Sequence, residues 1–113
     1  MTHTYDFDEV ARLPLPGDNV AIAALRLEAG DRIRRGAETF ALAHTVLEGH
    51  RFAIASLAPG DELLSWELPF GGAVAAIAPG DYVCNQGMLD ALGGRSIDFE
   101  LPSAPNFADH IEP

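Results

Sequence analysis

Apolar positions in this chain come in short bursts closed by turn residues. Val20 to Leu25, Thr39 to Ala43, Phe52 to Leu57 and Ala73 to Ile77 are such pieces, each five or six residues long. That length between turn signals predicts strands, although the alanines of Val20 to Leu25 would also suit a helix. Arg32-Ile33-Arg34, Glu62 to Trp66 and Tyr82 to Asn85 bring the expected strands to about seven. Leu68-Pro69-Phe70-Gly71-Gly72 reads as a loop. Gly87 to Leu92 predicts a short helix, stopped by Gly93-Gly94. Thr2 to Pro16, with Pro14 and Pro16, reads as an extended arm or a first edge strand. The proline-bearing tail from Ser96 to Pro113 reads as extended, with scattered apolar residues that suggest docking.

One unit recurs: Leu27-Glu28-Ala29-Gly30-Asp31, Leu57-Ala58-Pro59-Gly60-Asp61 and Ile77-Ala78-Pro79-Gly80-Asp81. In the last two, Pro presets φ at the second turn position and Gly supplies positive φ at the third, as a type II turn requires. Short strands between repeated turns predict an all-β domain, folded over or barrel-like. The expected organisation is an arm over 1–17, a β-domain over 18–92 and an extended tail over 93–113.

Composition narrows the function classes. The chain has 113 residues, a usual length for one domain, and 48% of them are hydrophobic, as in a folded globule. Seven basic residues, all Arg, face seventeen acidic ones, a formal charge of −10. That balance repels phosphate backbones and argues against nucleic acid or an anionic membrane as partner. A single local Arg can still bind a small anion. No apolar run approaches the roughly 20 residues of a membrane span, and the acidic N-terminus does not resemble a signal peptide. With Cys84 alone no internal disulfide forms, so the expected compartment is the cytoplasm.

Asp18-Asn19-Val20-Ala21, Leu27-x-x-Gly30, Gly49-His50-Arg51-x-Ala53, Leu68-Pro69-Phe70-Gly71 and Ile77-x-x-Gly80 follow one another in an order that resembles the SAF domain of altronate and galactarate dehydratases. The resemblance covers about Asp18 to Asn85. It implies a β-clip fold and a separate, larger sugar-acid dehydratase partner. Leu101 to Phe107 resembles the C-terminal extension of free-standing small subunits of that family. The chain then reads as the accessory subunit of a two-chain altronate-type dehydratase, completing or gating the partner's site. The alternative is a free-standing module that binds a small sugar acid or a protein without catalysis. A divalent metal, iron or manganese, is implied only through the partner chain. A homodimer is a further expectation. Where the family has Lys-Tyr-Gly this chain has Ser65-Trp66-Glu67, and Cys84-Asn85 replaces a His-rich ending. Arg51 stands for the family's Lys, exchanging a point charge for a planar fork.

Dehydration of a sugar acid removes a proton beside the carboxylate and expels a hydroxyl, which calls for a base and for cationic support of the developing charge. His50 is the candidate catalytic residue, as base, metal ligand or carboxylate donor; the competing reading is a surface His at a turn. Arg51 is the candidate carboxylate clamp, against an exposed strand-edge Arg. Asp18 and Asn19 are further substrate-binding candidates, against a plain Asx turn. Phe99, Leu101, Phe107 and Ile111 are expected to dock the partner. Cys84 is more readily a small buried hydrophobe than a reactive thiol. The zinc-site spacing of Cys and His pairs is missing.

Overall fold

Turn geometry organises the fold. In the computed structural model, which describes residues 3–109, Gly30, Gly49, Gly60 and Gly80 take φ of 89°, 84°, 95° and 94°. Four equivalent turns result, one more than the sequence repeat suggests, because Leu47-Glu48-Gly49-His50 adopts the same form. In each, the residue after Gly donates its amide to the carbonyl three back at 3.0 Å: Asp31 to Glu28, His50 to Leu47, Asp61 to Ala58 and Asp81 to Ala78.

The chain runs β1 (Thr4–Asp6), α1 (Phe7–Val10), β2 (Ala11–Arg12), β3 (Val20–Ala23), β4 (Arg32–Arg35), β5 (Glu38–Ala41), β6 (Arg51–Ala53), β7 (Glu62–Ser65), β8 (Leu68–Ala73), α2 (Gln86–Gly93) and β9 (Phe107–Asp109). Among the described residues three three-stranded sheets form, in the orders β1-β4-β5, β2-β3-β6 and β7-β8-β9. The domain is all-β, as the turn spacing predicts.

The turns work in reciprocal pairs. Gly30 donates to Leu42 and Gly49 to Ala23; Gly60 donates to Ala73 and Gly80 to Ala53. Leu27 bridges Val46, and Leu57 bridges Ile77. The chain is thus internally duplicated. Ala23 to His50, carrying the hairpin β4–β5, matches Ala53 to Asp81, carrying β7–β8. The second unit is longer by one residue, Phe70, where the β7–β8 register shifts. β3 and β6 join the units by antiparallel pairing, Val20 opposite Ala53 and Ile22 opposite Arg51. Two hydrophobic cores form among the described residues, each drawing on residues outside a single unit. The first centres on Leu27, Ile33, Val46 and Phe52, the second on Val20, Leu63, Ile77 and Val83.

Three expectations change. Leu68 to Gly72, read as a loop, lies in β8, the longest strand. Pro69 is tolerated there because β9 pairs only with Gly71 to Ala73, so the Pro69 edge has no second neighbour that needs its missing N–H. The strands read over Phe52 to Leu57 and Ala73 to Ile77 stop at Ala53 and Ala73, where the backbone leaves the sheet to build the turn pairs, and the strand read over Tyr82 to Asn85 reduces to a single bridge between Tyr82 and Phe52. The N-terminal segment is partly the expected edge strand, β1 pairing parallel with β4. It continues, however, into α1, which places Phe7 and Val10 in the core. The predicted helix forms as α2, capped by Asn85 Oδ1 accepting from Met88 N at 2.8 Å. Among the described residues no helix is long and apolar enough to cross a membrane.

Candidate functional site

Three of the four turns keep their Asp, and each carboxylate closes its own turn. Asp31 Oδ2 accepts from Glu28 N at 2.9 Å, Asp61 Oδ2 from Ala58 N at 2.8 Å and Asp81 Oδ2 from Ala78 N at 2.9 Å. His50 occupies the fourth such position without that bond. The backbone turn survives the exchange, so the imidazole is available for another purpose.

Its ring stacks on Tyr82, with centroids 5.8 Å apart, and Nδ1 lies 2.5 Å from the Tyr82 hydroxyl. Burial, then the charges of Arg95 and Arg51, hold the His50 pKa below its ordinary value. Tyr82 is 2% exposed; burial, then Cys84, pushes its phenol up to about 12. Next to His50, β6 begins with Arg51. Arg51 Nε donates to Ser65 Oγ at 3.3 Å, and the guanidinium carbon sits 5.6 Å from the centre of the Phe70 ring. Phe70 in turn meets Phe107 edge-on, 5.3 Å between centroids.

His50 and Arg51 line one cleft of about 420 Å³ with Phe70, Asn85, Met88 and Asp109. That volume is of the size that binds small molecules. Asn85 Nδ2 donates to both oxygens of Asp109, at 3.1 and 2.9 Å. The cleft therefore combines two nitrogen-bearing side chains with a fixed carboxylate, groups suited to a ligand that carries both an anionic end and hydroxyls.

The other candidates are engaged elsewhere. Asp18, 5% exposed, accepts from the amides of Leu15 at 3.1 Å, Trp66 at 2.9 Å and Glu67 at 2.6 Å. Asn19 donates to Glu62 O at 2.9 Å and accepts from Leu64 N at 2.8 Å. Both side chains thus hold the β7–β8 hairpin by its backbone, and neither lines the His50 cleft. Phe107 is buried in the second core and, through Phe70, stands behind Arg51. Leu101 packs against the first core, and Phe99 lies under the Arg26 guanidinium at 5.2 Å. These three apolar tail residues pack on their own domain, Phe107 buried and Phe99 and Leu101 half-buried. Ile111 lies outside the described residues. Cys84 is fully buried, and burial pushes its thiol up.

Among the described residues no group of three or more His, Cys, Asp and Glu side chains could hold a metal ion. His50, with Nδ1 on a phenol, would offer a metal Nε2 alone, so the described residues do not make up a metal site of their own. Tyr82 and Asp109 were not among the sequence candidates, and Asn85 entered only as part of the altered Cys84-Asn85 ending. The available signal was the fourth turn, whose His stands where its three counterparts have Asp.

The altronate/galactarate dehydratase SAF domain model matches residues 14–90. The altronate dehydratase of Escherichia coli strain K12 is 38% identical over 66 residues, 58% of this chain. Those residues span 13% of the relative's length.

Proposed function

Because this chain belongs to the altronate/galactarate dehydratase SAF-domain family, we propose that it is the small accessory subunit of a sugar-acid dehydratase whose catalytic unit is a separate chain. The observation that carries the reading is the cleft in which adjacent His50 and Arg51 face the Asn85–Asp109 pair. A sugar acid has a carboxylate for Arg51 and hydroxyls for Asp109 and Asn85. The catalytic chain would bring the remaining groups needed to remove the proton and the hydroxyl, with His50 and Arg51 completing or gating its site.

The test is recovery of the tagged full chain from its host, with co-purifying proteins identified by mass spectrometry. The expected result is a stoichiometric dehydratase-like chain several-fold longer than this one. Recovery of the chain alone, as a small homo-oligomer, would overturn the subunit reading. It would favour the second one, a free-standing SAF-type module for a small sugar acid. That second reading draws on His50, Arg51, Asn85 and Asp109 lining one cleft together.

A further inference from the structure

The contact between His50 and Tyr82 decides what His50 can offer a ligand. A phenol has one proton to donate, and a buried hydroxyl with no acceptor is costly. Among the described residues, His50 Nδ1 is the only hydrogen-bond partner of the Tyr82 hydroxyl. The Tyr82 proton therefore points to Nδ1, and Nδ1 accepts. A neutral imidazole whose Nδ1 accepts carries its own proton on Nε2. Protonating Nδ1 would reverse the bond and strand the Tyr82 proton in the core. Nε2 has no protein partner among the described residues, on a side chain that lines the cleft.

Arg51 has the matching property. Ser65 and the Phe70 face fix its Nε and its plane, while its two terminal nitrogens have no protein partner among the described residues. We propose that Tyr82 is a positioning residue that locks His50 as a neutral Nε2–H donor. His50 and Arg51 together then grip the carboxylate of a polyhydroxy acid, with His50 as a binding group and not a general base. The ligand half rests on the sugar-acid reading of the cleft; the tautomer half does not.

Two readouts on the full chain test it. In two-bond proton–nitrogen correlation spectra of the ¹⁵N-labelled protein, His50 is expected as the Nε2–H tautomer with an unprotonated Nδ1. Tyr82→Phe, which keeps the ring stack, is expected to give a mixture of tautomers. A wild-type His50 protonated on Nδ1, or a tautomer unmoved by Tyr82→Phe, overturns the proposal. The second readout titrates D-gluconate, with uncharged D-glucitol as control. Gluconate, and not glucitol, is expected to shift the His50 and Arg51 side-chain resonances. His50→Gln retains an N–H donor and should keep affinity within about threefold, whereas His50→Glu should lose about tenfold or more. Equal losses in the two variants overturn the donor role.

Gluconate leaving wild-type His50 unmoved, while a dehydratase chain co-purifies, overturns the ligand half and leaves the subunit reading intact. Gluconate binding without any partner does the reverse.

Discussion

Asp18 shows how one buried carboxylate can hold a strained turn. Trp66 and Glu67 form the tip of the β7–β8 hairpin with φ of 59° and 57°. Two-residue hairpin tips of that shape usually carry Asn-Gly, since other side chains meet steric cost at positive φ. Asp18 compensates by accepting both tip amides, and Glu67 Oε2 accepts from Gly17 N at 2.8 Å. Asp18→Ala leaves three amides without their acceptor and should cost about 3 kcal/mol in urea denaturation. Trp66→Asn should stabilise the domain by about 0.5–1 kcal/mol in the same assay, since Trp66 is 59% exposed and its backbone conformation suits Asn.

Two titrating groups act on the same scale. The folded pKa of His50 lies below its unfolded value of about 6.5, so the folded state binds fewer protons. Its contribution is present above that pH and lost as pH falls through the folded value. His50→Gln should flatten that acid limb in a plot of denaturation midpoint against pH. Tyr82 has the opposite sign. Its contribution is complete below its ordinary 10.0 and lost as pH rises towards about 12, so Tyr82→Phe should flatten the alkaline limb.

Among elements, the tail strand β9 matters most for the site. Gly71 allows it to approach β8: a Cβ there would lie 2.6 Å from both the Ala108 carbonyl oxygen and the Phe107 ring. Gly71→Ala must therefore push β9 away, and with it the aromatic support under Arg51. Phe107→Ala, deleting a ring that is 4% exposed, should cost about 3 kcal/mol. Both variants should weaken gluconate binding as well as lower the melting temperature. His50→Asp separates fold from site at the turns. It restores the residue that three equivalent turns already carry, so thermal stability should stay within about 1 kcal/mol of the parent. Gluconate binding should disappear, because a carboxylate then replaces the donor. Retained binding in a folded His50→Asp protein would show that the cleft does not use His50.

Across the whole molecule, the two units and the two cores pack with a radius of gyration of 13.4 Å, that expected of one compact domain of this length. At a formal charge of −10 the surface field opposes anions, so an anionic ligand depends on local cations. Arg51 lies at the cleft and Arg95 near enough to depress His50. Salt should therefore weaken gluconate binding only modestly, since short contacts in a partly buried cleft are screened less than long-range ones. Loss of most affinity between 50 and 200 mM salt, roughly the span used to expose long-range electrostatics, would instead place the ligand on the open surface.

Local chemistry determined the parts of this protein that depend only on neighbouring residues. Pro-Gly-Asp and Ala-Gly-Asp dictate positive φ and a carboxylate that closes its own turn, so the turns and the all-β class were legible before any contact was known. The Gly-His-Arg corner likewise identified the two side chains that meet the cleft. Pairings between distant residues were decided by tertiary structure. Pro69 and Gly71 read as loop formers until the structure shows β9 stopping short of Pro69, whose missing N–H is then not needed, and lying so close to Gly71 that its missing Cβ is required. Asp18 reads as a ligand group until two amides from the far hairpin fill it. Phe107 reads as a docking residue until its own core covers it. The partner of His50, a phenol 32 residues further along, follows from packing the two units together, and it sets which imidazole nitrogen carries the proton.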